Sequence, residues 1–365
     1  MQCLINKNVL RQALIHLNAC SSSKQGKPYV TYFIMIIRTE GFLTLVANGL
    51  KQKLSIKIPV EGEFVEKKCN THFIETQFLK NALRFFRTGE IELNAQENLV
   101  TIKQGNFIFK KYYPESLHYD FPLNDLEKPK CVLKIKAGDL FRSLSSISFC
   151  SAVDSTRHVL NGIFLDKSEF GCRAVATDGR RLAFVKLLSS FHSSNISVNV
   201  PGQAVVLLLK RLNASDPELE VCLFQEDEKL LFKWEGNELS CYMVDGKYPD
   251  YVKAIPESHS KFIVLPPLVS SIKRAELVSE TVKLHISQSQ LCVEACNEVD
   301  EYSESFPLEK GCEYTKLSFL NKFLRGILTH AVGEKATLGF SNYGEPVSVI
   351  GDDWQAVLMP LRGES

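Results

Sequence analysis

Apolar residues recur three and four positions apart in six stretches of the chain, and between them the pattern changes to alternation of apolar and polar positions. Residues 8–15, 138–145 and 267–274 each place apolar side chains at helical spacing together with at least one basic residue. Strand-like alternation follows, as in residues 32–37 and 162–165. A second helical stretch then recurs at 76–84, 203–211 and 318–325, each succeeded by a longer alternating run, at 90–109, 219–243 and 337–359. The first two runs end in related proline turns, Tyr119-Asp120-Phe121-Pro122 and Gly246-Lys247-Tyr248-Pro249-Asp250-Tyr251.

One plan written three times predicts an α+β fold of three similar domains, with helices on one sheet face. Charge and proline interrupt the periodicity at 125–129 and 256–259, which sets the expected domains at 1–127, 128–256 and 257–365. A length of 365 residues suits two or three cores. Hydrophobic residues at 45% and charged residues at 23% exclude a chain dominated by disorder. No apolar run reaches the length of a membrane span, and the start carries no apolar leader, so the expected location is the cytoplasm. The eleven cysteines are dispersed without a Cys-x-x-Cys pair, and Cys292 and Cys296, on one face of an expected strand, have no histidines beside them at ligand spacing. They are read as reduced thiols, with no metal and no cofactor expected.

Net charge is +1, so affinity for nucleic acid has to come from where the charges lie. Lys80, Arg84 and Arg87 share one face of the 76–84 stretch and its continuation, with Leu79, Ala82, Leu83 and Phe86 opposite. Lys7 and Arg11 share a face four apart, Lys322 and Arg325 three apart, and Lys210-Arg211 and Lys273-Arg274 add pairs. One such stripe alone reads more readily as a solvated face than as a contact surface. Recurrence on the same elements of each repeat favours an electropositive surface that attracts phosphates without reading bases.

The central third carries the most specific text: residues 154–165, beginning Asp154-Ser155-Thr156-Arg157, then Ala176-Thr177-Asp178-Gly179-Arg180-Arg181-Leu182, then the 246–251 turn, with Val357-Leu358-Met359-Pro360-Leu361-Arg362 near the end. In this order and spacing the chain resembles the bacterial DNA polymerase III beta subunits, the sliding clamps. The resemblance implies three clamp domains per chain, with helices lining a ring interior and antiparallel sheets outside. Two chains would close head to tail as a homodimer. It implies a role as processivity factor without catalytic residues, holding duplex DNA topologically and without sequence preference. The implied partners are the polymerase III catalytic subunit, the clamp loader and other proteins with a clamp-binding peptide.

Carried onto this chain, the peptide groove between the second and third domains would use Arg157, Leu160, Thr177, Gly179, Arg180, Arg181, Leu182, Pro249, Phe323, Val357, Leu358, Met359, Pro360, Leu361 and Arg362. The expected DNA-facing cations are Lys7, Arg11, Lys27, Lys80, Arg84, Arg87, Arg142, Lys210, Lys273, Lys322 and Arg325. Ring closure would use Phe107 and Phe109 against Leu277 and Val278. Read without the resemblance, Thr177-Asp178-Gly179 is a tight turn and Met359-Pro360-Leu361 a closing edge strand. The chain departs from the family pattern in a shortened loop at 279–281, in Leu320 and Phe323, and in the Gly363-Glu364-Ser365 tail, all of which bear on peptide preference.

Two rival readings are an enzyme and a scaffold that does not touch DNA. The enzyme lacks support because the chain has no phosphate-binding glycine loop, Gly-x-Ser-x-Gly elbow or His-Glu-x-x-His. The recurrent basic helix faces count against the scaffold.

Overall fold

The computed structural model describes residues 1–21, 33–49, 51–62, 71–96, 98–113, 126–153, 155–168, 171–187, 196–331, 336–342 and 344–361. Lys27, Arg362, the 119–122 proline turn and the 363–365 tail lie outside the described residues. Among the described residues, helices and strands follow one order three times: strand, helix, four strands, helix, three strands. The first passage holds β1 (Gln2–Asn6), α1 (Lys7–Ser21), β2 (Phe33–Thr39), β3 (Phe42–Asn48), β4 (Gln52–Pro59), β5 (Thr71–Glu75), α2 (Thr76–Ala82), β6 (Glu90–Gln96), β7 (Leu99–Gln104) and β8 (Phe107–Tyr112). The second holds β9 (Lys130–Lys136), α3 (Ala137–Ile147), β10 (Gly162–Ser168), β11 (Gly171–Thr177), β12 (Arg181–Lys186), β13 (Ser197–Pro201), α4 (Gly202–Leu212), β14 (Glu220–Glu226), β15 (Lys229–Trp234) and β16 (Asn237–Tyr242). The third holds β17 (Lys261–Val264), α5 (Val269–Ala275), β18 (Thr281–Ile286), β19 (Gln290–Cys296), β20 (Glu301–Pro307), β21 (Thr315–Leu320), α6 (Asn321–His330), β22 (Thr337–Phe340), β23 (Val347–Gly351) and β24 (Trp354–Leu358).

Every strand pairing is antiparallel, and the fold is α+β. Alternation along each strand puts one set of side chains inside: Cys3 and Ile5 are buried in β1 while Gln2 and Asn6 face out, and Val282, Leu284 and Ile286 are buried in β18. Among the described residues, two sheets have four strands, in the orders β1-β6-β7-β8 and β20-β19-β18-β21. The other two have eight, in the orders β5-β2-β3-β4-β16-β15-β14-β9 and β13-β10-β11-β12-β24-β23-β22-β17. Each eight-stranded sheet is therefore two four-stranded halves, from successive passages, joined edge to edge.

The two joins are made in the same register. In β4, Ser55 lies three positions past Gln52, whose carbonyl closes the turn onto Gly49, and it faces Glu238, one past the first residue of β16. In β12, Phe184 lies three positions past Arg181, whose carbonyl closes the turn onto Asp178, and it faces Gln355, one past the first residue of β24.

The chain forms two compact units, Met1–Gly138 with Ser189–Ser193 and Val206–Met243, and Asp139–Leu188 with Ser194–Val205 and Val244–Ser365. Each eight-stranded sheet falls wholly within one unit, because continuous backbone pairing across a join binds the two halves as tightly as pairing within either. In the second unit Trp354, 2% exposed, donates its indole N–H to the Ser146 carbonyl at 3.1 Å, which satisfies its one polar atom inside the core.

Three local readings of the sequence need correction. Residues 318–320 continue β21, and the helix begins at Asn321, because Leu317 and Phe319 are buried at strand spacing. Residues 83–84 form a turn after α2. Met359-Pro360-Leu361 is not an edge strand: β24 ends at Leu358 and runs between β12 and β23 in the sheet interior, where a proline without an N–H cannot continue the ladder.

Candidate peptide groove and basic helix face

The turn joining β11 to β12 is fixed by its own side chains. Thr177 Oγ1 accepts from the Gly179 N–H at 3.0 Å and donates to the Arg181 carbonyl at 2.7 Å. Asp178 Oδ1 accepts from the N–H groups of Arg180 and Arg181 at 2.9 and 3.0 Å, and its Oδ2 pairs with Arg181 Nε at 3.0 Å. Gly179 sits at φ +82°, the left-handed region that a Cβ disfavours. Its open face is covered by Arg157, whose backbone (φ −123°, ψ 65°) breaks the helical turn of Ser155–Leu160.

Beside this turn Leu160, Val175, Leu182, Tyr248, Tyr251 and Val357 form one buried apolar cluster. Tyr248 stacks on Phe164, with ring centres 4.5 Å apart and planes at 4°. Tyr251 donates to Asp166 Oδ2 at 2.8 Å, and burial together with that carboxylate pushes its phenol up to about 12. Of the groove residues expected from the sequence, Leu160, Leu182 and Val357 meet here, and Thr177, Gly179 and Arg157 build the adjoining turn. Leu358 and Pro360 are buried, Met359 is 44% exposed, and Arg180 and Pro249 are exposed. The Leu361 N–H donates to the Ser318 carbonyl at 2.7 Å. Tyr248 and Tyr251 were missed as site residues, although both stand in the same proline turn as Pro249.

Arg181 is held in place by its neighbours. Besides Asp178, its Nη2 donates to the Phe149 carbonyl at 2.6 Å, and its guanidinium lies 5.2 Å from the ring centre of Phe149 and 4.8 Å from that of Phe323. Phe323 thus reaches the 177–182 turn through Arg181. The chemistry assembled is an apolar patch with guanidinium groups beside it, suited to apolar peptide side chains and to carboxylates.

In the first unit, Lys7, Arg11, Lys80 and Arg84 line one cavity of about 440 Å³, together with Leu14, Ile15, Asn18 and Leu83. Leu79, Ala82, Leu83 and Phe86 are buried, so the amphipathic split expected from the sequence holds. Lys7 Nζ donates to the Phe86 carbonyl. Lys80, Arg84, Arg87 and Lys210 are exposed and form no ion pair with carboxylates of the described residues. His16 is held below the ordinary imidazole value first by burial, then by Arg211 and Lys210. Arg211, however, donates to Asn237 Oδ1 at 3.0 and 3.2 Å from a half-buried position and is not a free surface cation.

The expected basic face of the second unit is partly neutralised. Arg142 pairs with Asp139 at 2.5 Å, Arg325 pairs with Glu276, and Arg274 meets Glu304 at 2.5 Å and the Tyr302 hydroxyl at 3.0 Å. Lys273 and Lys322 remain exposed. Phe107 and Leu277 are 54% and 87% exposed, whereas Phe109 packs against Phe78, Phe85 and Phe86, and Val278 is half-buried. Among the described residues no three His, Cys, Asp or Glu side chains are grouped to hold a metal, and no helix is long and apolar enough to cross a membrane.

The model of the DNA polymerase III beta subunit central domain matches residues 134–250, the segment that holds the turn and most of its apolar cluster. The beta sliding clamp of Buchnera aphidicola subsp. Acyrthosiphon pisum is 25% identical over 367 residues, covering 98% of each chain. That of Pseudomonas putida is 26% identical over 373 residues, covering 99% of this chain and 100% of its own. Over its whole length the chain is similar to bacterial beta sliding clamps, and its central third matches their family model. Members of this family are DNA sliding clamps of the replicative polymerase, processivity factors rather than catalysts. The fold agrees along the whole chain. The DNA polymerase III beta subunit of Pseudomonas aeruginosa superposes with a TM-score of 0.88 at 22% identity, covering 100% of both chains. The Helicobacter pylori beta clamp bound to a DNA ligase peptide gives 0.86 at 21%, covering 99% of this chain and 100% of that one.

Proposed function

We propose that two copies of this chain join head to tail into a closed ring that keeps the replicative polymerase on duplex DNA in the cytoplasm. In this reading residues 1–127, 128–256 and 257–365 are the three domains of each copy. The observation that carries the assembly is the repeated edge-to-edge join. Two such joins occur inside the chain, in one register, and the halves left over end in the unpaired edges β8 and β20. Ser303 lies three positions past Asp300, whose carbonyl closes its turn onto Asn297, and Ile108 lies one past the first residue of β8. The same register between two copies sets Ser303 against Ile108, Tyr302 against Phe109 and Glu301 against Lys110. That pairs opposite charges and satisfies both open edges. Exposed Phe107 and Leu277 supply apolar surface for the same contact.

The cations around the α1–α2 cavity, among them Lys80 and Arg84 without a carboxylate partner among the described residues, supply a phosphate-attracting surface that reads no sequence, and a topologically closed ring needs no tighter grip. The apolar patch of Leu160, Leu182 and Val357, with Arg157 and Arg180 beside it, receives peptides of the polymerase, the clamp loader and other partners. The peptide complex of the Helicobacter pylori clamp supports this use of the fold.

Solution mass and DNA retention test the reading. A two-chain mass, and release of loaded protein when a DNA circle is cut, are expected. A stable monomer at working concentration, or equal retention on linear and circular DNA, would overturn it.

A further inference from the structure

Arg181 belongs to the groove turn, yet almost everything that fixes its guanidinium lies elsewhere. Phe149 contributes its carbonyl, which accepts from Nη2 at 2.6 Å, and its ring, 5.2 Å from the guanidinium carbon. Phe323 on α6 contributes a second ring at 4.8 Å. Phe149 is in turn stacked on His330, the last residue of α6, with ring centres 4.5 Å apart and planes at 13°. The His330 ring is fixed by a 2.8 Å hydrogen bond between Nδ1 and the Gly326 carbonyl. A carbonyl can only accept, so Nδ1 carries the proton.

Gly326 explains how these groups fit. A Cβ built there would lie 2.7 Å from Arg181 Nη1 and 3.2 Å from Phe149 Cδ2. Glycine inside a helix is destabilising by about 1 kcal/mol relative to alanine, so its presence in α6 calls for a reason. Close packing against the Arg181–Phe149 pair supplies one.

We propose that Phe149 and Gly326 are positioning residues of the peptide groove: they hold Arg181, and through Arg181 and Asp178 the 177–182 turn, in the arrangement that receives a peptide. This rests on the groove reading above. Peptide affinity then depends on two residues outside the groove, one of them on a helix that also carries Lys322. The atom that a Gly326 side chain would displace is the far end of a flexible arginine. Gly326→Ala should therefore be accommodated by a shift of the Arg181 side chain rather than of the backbone.

The test is a titration of the intact dimer with a labelled octapeptide carrying one aspartate followed by two leucines. Leu182→Asp serves as the groove control. Phe149→Leu and Gly326→Ala should each weaken binding about tenfold, the scale of one lost guanidinium–ring contact, with the dimer mass unchanged. Phe149→Tyr should restore affinity. In an Arg181→Ala background Phe149→Leu should add less than a twofold loss, because its route to the groove is already gone. Wild-type affinity in both variants while Leu182→Asp abolishes binding would overturn the inference and leave the groove standing. So would a full additional loss in the Arg181→Ala background. If the wild-type chain fails to bind the peptide, or Leu182→Asp binds equally, the groove reading fails and takes the inference with it.

Discussion

Gly179 and Arg157 adjoin so closely that a Cβ on Gly179 would stand 2.1 Å from Arg157 Nη1, on a backbone with φ of +82°. The conformation favours glycine, and a side chain there would push the flexible end of Arg157 aside. Gly179→Ala should cost about 1–3 kcal/mol of stability, the range for a strained left-handed residue, and should displace Arg157 from the turn. Urea denaturation measures the first effect and peptide titration the second. Unchanged values in both would show that the turn relaxes freely.

The proposed inter-copy register is open to a charge-swap experiment. Glu301→Lys places like charge opposite Lys110, and Lys110→Glu does the same against Glu301. Each single change should shift sedimentation toward the monomer, and the double change should return it toward the dimer. A double variant no better than the singles would show that these positions do not face each other.

In the proposed ring, Arg11, Lys80 and Arg84 act on DNA through charge alone. Changing all three to alanine should weaken retention on circular DNA at moderate salt, and the loss should not depend on base sequence. The salt slope should fall by about one for each phosphate contact removed. An unaltered slope would place the DNA contacts elsewhere.

Glu304 is held down to about 2, first by its hydrogen bond from Arg274, then by those from Tyr302 and Ser271. Unfolded glutamate titrates near pH 4.3, so the unfolded chain binds the proton more readily. This contribution to stability is present above that value and is lost as pH falls toward 2. Glu304→Gln should flatten the acid limb of the stability curve. An acid limb identical to wild type would remove Glu304 from the account.

His16 gives a second pH dependence at a higher range. Burial, Arg211 and Lys210 disfavour its charged form in the folded chain, so its folded value lies below the ordinary 6.5. Stability should decline as pH falls from about 6.5 toward that lowered value, because the unfolded chain takes up the proton first. His16→Gln should reduce this decline in denaturant midpoints measured between pH 7 and 5, leaving the part that comes from His259, which burial also holds below the ordinary value.

Alternation and helical spacing in the sequence determined the α+β class and the threefold element order, because both depend on which side chains face water within a few residues. The Asp178–Gly179 turn was legible for the same local reason, as was the division of residues 79–86 into buried and cationic sides. The helix start at 321 was not, since apolar positions 317 and 319 fit either period until β18 pairs with them. Tertiary structure alone decided that Arg181 lies over Phe149 and Phe323, that Arg325 is neutralised by Glu276, and that β24 runs inside a sheet instead of along its edge. Those outcomes depend on partners between about 30 and 180 positions away, and a pattern read over a few residues carries no record of which distant group fills the space beside it.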